Sequence, residues 1–185
     1  MRRRILANLG FLLQTCGLLL IIPFVVGLVY NEVESMTAIS LTCISFLVLG
    51  FLLNSLCEKR ELDYKSSCVL ILGAFIVISV IGAIPYIYLD PFQSLTSIDK
   101  LMNSLFESVS GFTTTGFSMI SETTVLPRSF SLFRSMTEFI GGVGVVFILL
   151  AFFQSEHALN SLGSALGIER IEFNLKRSFA MVLLV

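Results

Sequence analysis

Ser110-Gly111-Phe112-Thr113-Thr114-Thr115-Gly116-Phe117-Ser118 lies in a short polar interval between two hydrophobic stretches, each long enough to cross a bilayer. A run of threonines closed by glycine can turn successive backbone carbonyls toward one axis and replace the water shell of a monovalent cation. The threonine side chains then pack or hydrogen-bond behind, while Gly116 takes backbone angles closed to other residues and brings its carbonyl close to an ion. Irregular backbone at membrane depth is tolerated only where it faces protein or water, so such a loop must line something. The alternative is an ordinary outer loop with a turn at Thr115-Gly116.

The residues just before this stretch support the first reading. From Ser97 to Ser110, apolar residues recur at Ile98, Leu101, Met102, Leu105, Phe106 and Val109, the spacing of one helix face. Ser97 is the expected N-cap, with Asp99 in the first turn. About 12 helical residues span roughly 18 Å, half the depth of a membrane. Gly111 is then expected to stop the helix, as glycine commonly does just past a C-terminus. The negative end of the helix dipole would point into the membrane, where a cation gains from it. Thr114 to Ser118, if extended, climb back about 16 Å.

Composition agrees with a bilayer setting. Of 185 residues, 55% are hydrophobic and 14% charged, with mean hydropathy +0.91, whereas soluble domains carry about 25% charged residues. A helix needs roughly 20 apolar residues to span the hydrocarbon core. Four stretches qualify: Ile5–Tyr30, Met36–Cys57, Ser66–Leu89 and Ser129–Phe153. A fifth run opens at Ser178 and reaches only Val185. The expected fold is an all-α integral membrane protein, with two N-terminal transmembrane helices followed by one transmembrane helix–re-entrant pore loop–transmembrane helix unit. Its parts are a helix pair over 1–62, the unit over 63–153, and over 154–185 an interfacial or cytoplasmic connector with the start of a further helix.

Charge placement gives an orientation. The opening Arg2-Arg3-Arg4 precedes an apolar run about twice the length of a signal core, so it is read as a retained first helix. With the N-terminus inside, Arg2, Arg3, Arg4, Lys59, Arg60, Lys65, Arg170, Lys176 and Arg177 are cytoplasmic, leaving Lys100, Arg128 and Arg134 of the 12 basic residues outside. This is the positive-inside asymmetry. It requires the stretch from Asp90 to Pro127 to begin and end on the outer face, as a re-entrant segment does.

Enzyme chemistry finds no footing. Cys16, Cys43, Cys57 and Cys68 lie in or at the ends of hydrophobic spans without C-x-x-C spacing, and His157 is the single histidine of the chain. Neither a Cys/His nucleophile pair nor a histidine metal site can be assembled. There is no H-E-x-x-H, G-x-S-x-G or phosphate-binding glycine loop ending in lysine. No organic cofactor and no nucleic-acid partner are expected.

The segment Leu105-Phe106-Glu107-Ser108-Val109-Ser110-Gly111-Phe112-Thr113-Thr114-Thr115-Gly116 resembles the first pore loop of the TrkH-type potassium uptake proteins, within the wider Trk/Ktr/HKT superfamily. The downstream Leu126-Pro127, Phe133-Arg134-Ser135 and Ile140-Gly141-Gly142-Val143-Gly144-Val145 resemble the following pore-unit helix, and Gly82-Ala83-Ile84-Pro85-Tyr86 the end of the preceding one. The resemblance implies four helix–loop–helix units around one potassium path in a bacterial inner membrane. It also implies a filter strand at Thr114, Thr115, Gly116, Phe117 and Ser118, with potassium at Thr114, Thr115 and Gly116. Glu107, Gly111, Thr113 and Arg134 would support that strand. A cytosolic nucleotide-binding regulatory subunit is implied as partner. One unit of the four is present, so the chain is expected to be about a quarter of a pore-forming subunit, completed by a missing C-terminal part or by other copies. The rival expectation is a non-conducting membrane interaction protein, or a degenerate fragment that only associates with an intact transporter.

Several residues carry two readings. Arg134 and Glu138 fall inside a span, where a charge costs about 2.5–3.5 kcal/mol on insertion scales and needs a partner. Their i,i+4 spacing allows a pair along one helix; the alternative is that Arg134 reaches Glu107 and backs the loop. Glu107 lies a turn above the filter's start and is not expected to touch an ion. Gly141, Gly142 and Gly144 suit close helix packing or a hinge. Pro23 and Pro85 are expected to kink their spans.

Overall fold

The computed structural model describes residues 2–55, 64–92, 96–120 and 126–153. Cys57, His157 and the connector expected over 154–185 lie outside the described residues. The chain divides into two compact units, Met1–Val143 and Gly144–Val185. Every regular element described is a helix: α1 (Arg2–Leu19), α2 (Ile21–Val29), α3 (Val33–Ser55), α4 (Tyr64–Gly82), α5 (Ile84–Leu89), α6 (Ser97–Phe112) and α7 (Arg128–Phe153). Among the described residues three segments are long and apolar enough to cross a membrane: Ile5–Val29, Val33–Ser55 and Ser66–Leu89. α3 starts three residues before the expected Met36, because the turn ahead of it is only three residues long.

The prolines divide two spans where expected. Pro23 has no N–H for the carbonyl of Leu19, and the helix breaks at Leu20, between α1 and α2. Pro85 does the same to Ile81, and the break falls at Ala83, between α4 and α5. In both cases the ring removes one i→i−4 bond and crowds the preceding turn.

α1 lies along α3, with Leu13, Leu20, Ile39 and Phe46 fully buried. The backbones approach closely where the two helices cross, since a Cβ on Gly10 would stand 2.7 Å from the Gly50 carbonyl oxygen. In lipid such close packing, rather than expulsion of water, holds helices together.

The turn from α2 to α3 is tightly closed. Asn31 is left-handed (φ 56), its N–H bonds to the Leu28 carbonyl, and the Glu32 N–H bonds to the Gly27 carbonyl at 3.0 Å. That is a Schellman closure with asparagine in the left-handed position. It fixes Glu32 at the tip of the helix pair.

α6 runs 16 residues, about 24 Å, rather than the 12 expected. Its N-cap is Thr96, not Ser97: the Thr96 hydroxyl accepts the Asp99 N–H at 3.1 Å. At its start Lys100 pairs with Asp90 at 3.6 Å. Further along, the Ser108 hydroxyl donates to the Ser79 carbonyl at 2.6 Å and ties α6 to α4. Tyr86 of α5 packs edge-on against Phe130 and Phe133 of α7, with centroids 5.2 and 6.0 Å away. These contacts hold α6 and the N-terminal half of α7 around α4 and α5.

Candidate functional site

The end of α6 and the loop after it form one hydrogen-bonded unit. Thr113 caps the helix. Thr114 turns left-handed (φ 56), its N–H bonds to Gly111, and the Thr115 N–H bonds to Ser110 at 2.9 Å. This is a second Schellman closure. The expected stop at Gly111 is therefore corrected: Gly111 and Phe112 are helical, and the left-handed residue is a threonine. A β-branched residue in that region is an outlier that persists only where its surroundings impose it.

What imposes it is α7. A Cβ on Gly141 would stand 2.2 Å from the Phe112 carbonyl oxygen, and one on Gly111 would stand 2.5 Å from the Thr137 hydroxyl. The last turn of α6 is thus seated directly on the backbone of α7, which carries the helix past Gly111. Gly141→Ala is expected to destabilise the fold by about 1–3 kcal/mol or more, since backbone cannot step aside as a side chain can. Thermal melting in detergent checks this, with Gly142→Ala as the control: its nearest neighbour, Thr114 Cγ2, is 3.8 Å away.

After Thr114 the chain doubles back beside α6. The Ser110 hydroxyl donates to the Phe117 carbonyl at 2.6 Å. Glu107 Oε1 accepts from the Ser118 hydroxyl at 2.5 Å and from the Met119 N–H at 2.6 Å. One turn of helix is matched by the two or three residues of the returning segment. Gly116 is left-handed (φ 77), and no atom lies within 4 Å of where its Cβ would be. Its glycine is required by conformation, not by space.

Arg134 completes the anchorage. Its Nη2 lies 3.3 Å from Glu107 Oε2 and 3.0 Å from the Ser118 hydroxyl. Glu107 is 3% exposed. The pairing with Glu138 along α7 is corrected: Arg134 reaches α6, and Glu138 is on the exposed side of its helix. The buried Glu107 carboxylate thus accepts from a hydroxyl, an amide and a guanidinium.

The sequence-predicted residues thus divide in two. Glu107, Arg134, Thr113 and Gly111 face the loop's anchored side, with the Thr113 hydroxyl donating to Val109 at 2.7 Å and meeting the Thr115 hydroxyl at 2.7 Å. Thr114, Thr115, Gly116, Phe117 and Ser118 are exposed, although the Ser118 hydroxyl and the Phe117 carbonyl are turned to the anchored side. Among the described residues no hydrogen bond engages the carbonyls of Thr114, Thr115 or Gly116. The Phe117 carbonyl is turned to α6 by Ser110, a residue that sequence reasoning assigned no role. Its position one turn ahead of Thr114 on the helix was the available signal.

Comparison with known proteins identifies the family. A family described as TrkH, cation transport protein, matches residues 35–170. The chain belongs to the TrkH family. It is 35% identical over 144 residues to the Trk system potassium uptake protein TrkG of Escherichia coli K12, covering 77% of the chain and 28% of that protein. An uncharacterized cation transporter of Methanocaldococcus jannaschii is 32% identical over 143 residues, again 77% of the chain and 28% of the relative. The E. coli K12 potassium uptake protein TrkH is 29% identical over 151 residues, 80% of the chain and 30% of that protein. The chain therefore spans less than a third of the length of these TrkH-family relatives. Family membership and the three apolar helices make it a multi-pass membrane protein of a transporter family, not an enzyme.

Proposed function

We propose that this chain is the first part of a potassium uptake protein and supplies one helix–loop–helix unit of four around a single potassium path. The observation that carries this reading is the loop's two-sidedness. One flank is anchored to Glu107, Ser110 and Arg134, while among the described residues no hydrogen bond engages the Thr114, Thr115 and Gly116 carbonyls. Free carbonyls in a membrane protein must meet water, protein or an ion, and rings of such carbonyls replace a potassium ion's hydration shell.

In this reading α6, too short to cross a core of about 30 Å, enters from the outer face, and the loop returns to it. Potassium is met by Thr114, Thr115 and Gly116, with Phe117 and Ser118 closing the strand against α6. The C-terminal dipole of α6 adds a favourable field for a cation. α7 is the second spanning helix of the unit 63–153, the pair over 1–62 precedes it, and the N-terminus lies in the cytoplasm of a bacterial inner membrane. The partners are the other pore units and, by family resemblance, a nucleotide-binding regulatory subunit.

Growth of cells lacking potassium uptake tests this. The complete transporter carrying this segment is expected to restore growth at low potassium, and residues 1–185 expressed alone are not. A complete transporter that reaches the membrane yet leaves growth dependent on high potassium overturns the assignment.

A further inference from the structure

Among the described residues no side chain of the N-terminal helix pair joins the Glu107–Ser118–Arg134 network, yet the pair makes a polar contact with the unit that holds it. The first two N–H groups of α7 have no helical acceptor, and a carboxylate 96 and 97 residues away receives them. Glu32 Oε1 accepts from the Arg128 N–H at 2.8 Å, and Oε2 from the Ser129 N–H at 2.8 Å. The Ser129 hydroxyl also bonds to Glu32 and lies 2.7 Å from the Ser35 hydroxyl. The Arg128 guanidinium sits 4.5 Å from the ring centre of Tyr30. Ser35 and Ser129 are buried, so the contact is enclosed on one side.

Both partners of this contact sit at helix starts, Glu32 just ahead of α3 and Arg128 and Ser129 at the start of α7. Glu32 is held by the closed turn at Asn31, and its carbonyl accepts the Met36 N–H at 2.8 Å to begin α3. Partial burial works to raise the Glu32 pKa, but hydrogen bonds from the Ser129 hydroxyl and N–H and the Arg128 N–H, with the Arg128 charge, outweigh it. The carboxyl is held below its usual range and is ionised at neutral pH, the form that the positive end of a helix favours. Along α7, Arg134 and Gly141 follow Ser129 by 5 and 12 residues, about 7.5 and 18 Å down one helix. Where Ser129 is fixed, their depth beside the loop is fixed.

We propose that Glu32 is a positioning residue for potassium selectivity: by capping α7 from the N-terminal helix pair, it sets the height at which Arg134 and Gly141 meet the loop. This gives the extra helix pair a task, namely bracing the outer end of the pore unit. It rests on the loop being the selective element. An ordinary helix cap adds stability without altering which ion passes.

Glu32→Gln in the complete transporter keeps the shape but leaves one accepting oxygen for the two amides. Membrane abundance is expected to stay near wild type while potassium-over-sodium discrimination in competitive uptake falls about three- to tenfold. The rescue arm adds Ser35→Cys with Ser129→Cys in the Glu32→Gln background, since oxygens 2.7 Å apart put cysteines there within bridging reach. Oxidation is expected to restore discrimination and reduction to abolish it, with the Glu32→Gln protein lacking the added pair as control. Unchanged discrimination in Glu32→Gln overturns the proposal, as does a bridge verified by thiol counting that restores nothing. Should Glu32→Gln fail to accumulate, Glu32→Asp, which keeps the charge but is one methylene too short to reach both amides, decides by the same loss of discrimination. A Gly116→Ser variant assayed alongside separates the two readings: if it alone loses discrimination, the brace falls and the filter stands, and if neither does, the filter reading falls first.

Discussion

Gly116→Ser or Gly116→Ala in the complete transporter is expected to lower potassium-over-sodium discrimination about five- to thirtyfold while the protein still reaches the membrane. The magnitude follows from the backbone. Gly116 sits at φ 77, a region costing an L-residue about 1–2 kcal/mol, and 1.4 kcal/mol is a tenfold factor. Nothing stands within 4 Å of the added Cβ, so the side chain itself has room in this unit. The strain is relieved only by rotating the peptide planes on either side, which re-aims the Thr115 and Gly116 carbonyls. Gly116→Asn should lose less, because asparagine enters the left-handed region more readily. Competitive uptake of potassium against sodium, normalised to membrane abundance, checks the order. Wild-type discrimination in all three variants would mean these carbonyls do not select the ion.

Glu107→Ala is expected to give the largest stability loss in the molecule, about 3–5 kcal/mol, because it leaves the part-buried Arg134 guanidinium without its carboxylate. The Arg134 side chain is 18% exposed against 3% for Glu107, so water replaces the lost partner poorly. The same change frees the Ser118 hydroxyl and the Met119 N–H and lets the returning segment leave α6. Removing both charges, as Glu107→Met with Arg134→Met, should cost less than the sum of the single changes, since neither charge is then left alone. Melting in detergent across the four proteins of this cycle is the measurement. Additive losses would show that Glu107 and Arg134 act separately.

Local patterns carried much of the architecture. The apolar runs located three spans to within a few residues, Pro23 and Pro85 marked the two helix breaks, and the rhythm from Ile98 to Val109 announced α6. What local rules mistook was decided by distant neighbours. Gly111 has the chemistry of a helix stop, but Thr137 and Gly141 of α7 close on this turn, and the left-handed turn is displaced onto Thr114. Arg134 has a carboxylate at i+4 and another 27 residues earlier, equally near as far as spacing tells. Only the facing of α7 decides for Glu107. Glu32 was visible as an acid in a short outer loop, yet its partner lies 96 residues further on, and no periodicity reports such a pair.

The open flank of the loop bears on what one unit can do by itself. If the Thr114, Thr115 and Gly116 carbonyls line a path as proposed, they make a single wall, and an alkali ion resting on it would keep water over its remaining hemisphere. Potassium and sodium differ mainly in how readily that water is surrendered, so a lone wall attracts both and sorts neither. Discrimination begins when further walls close the shell.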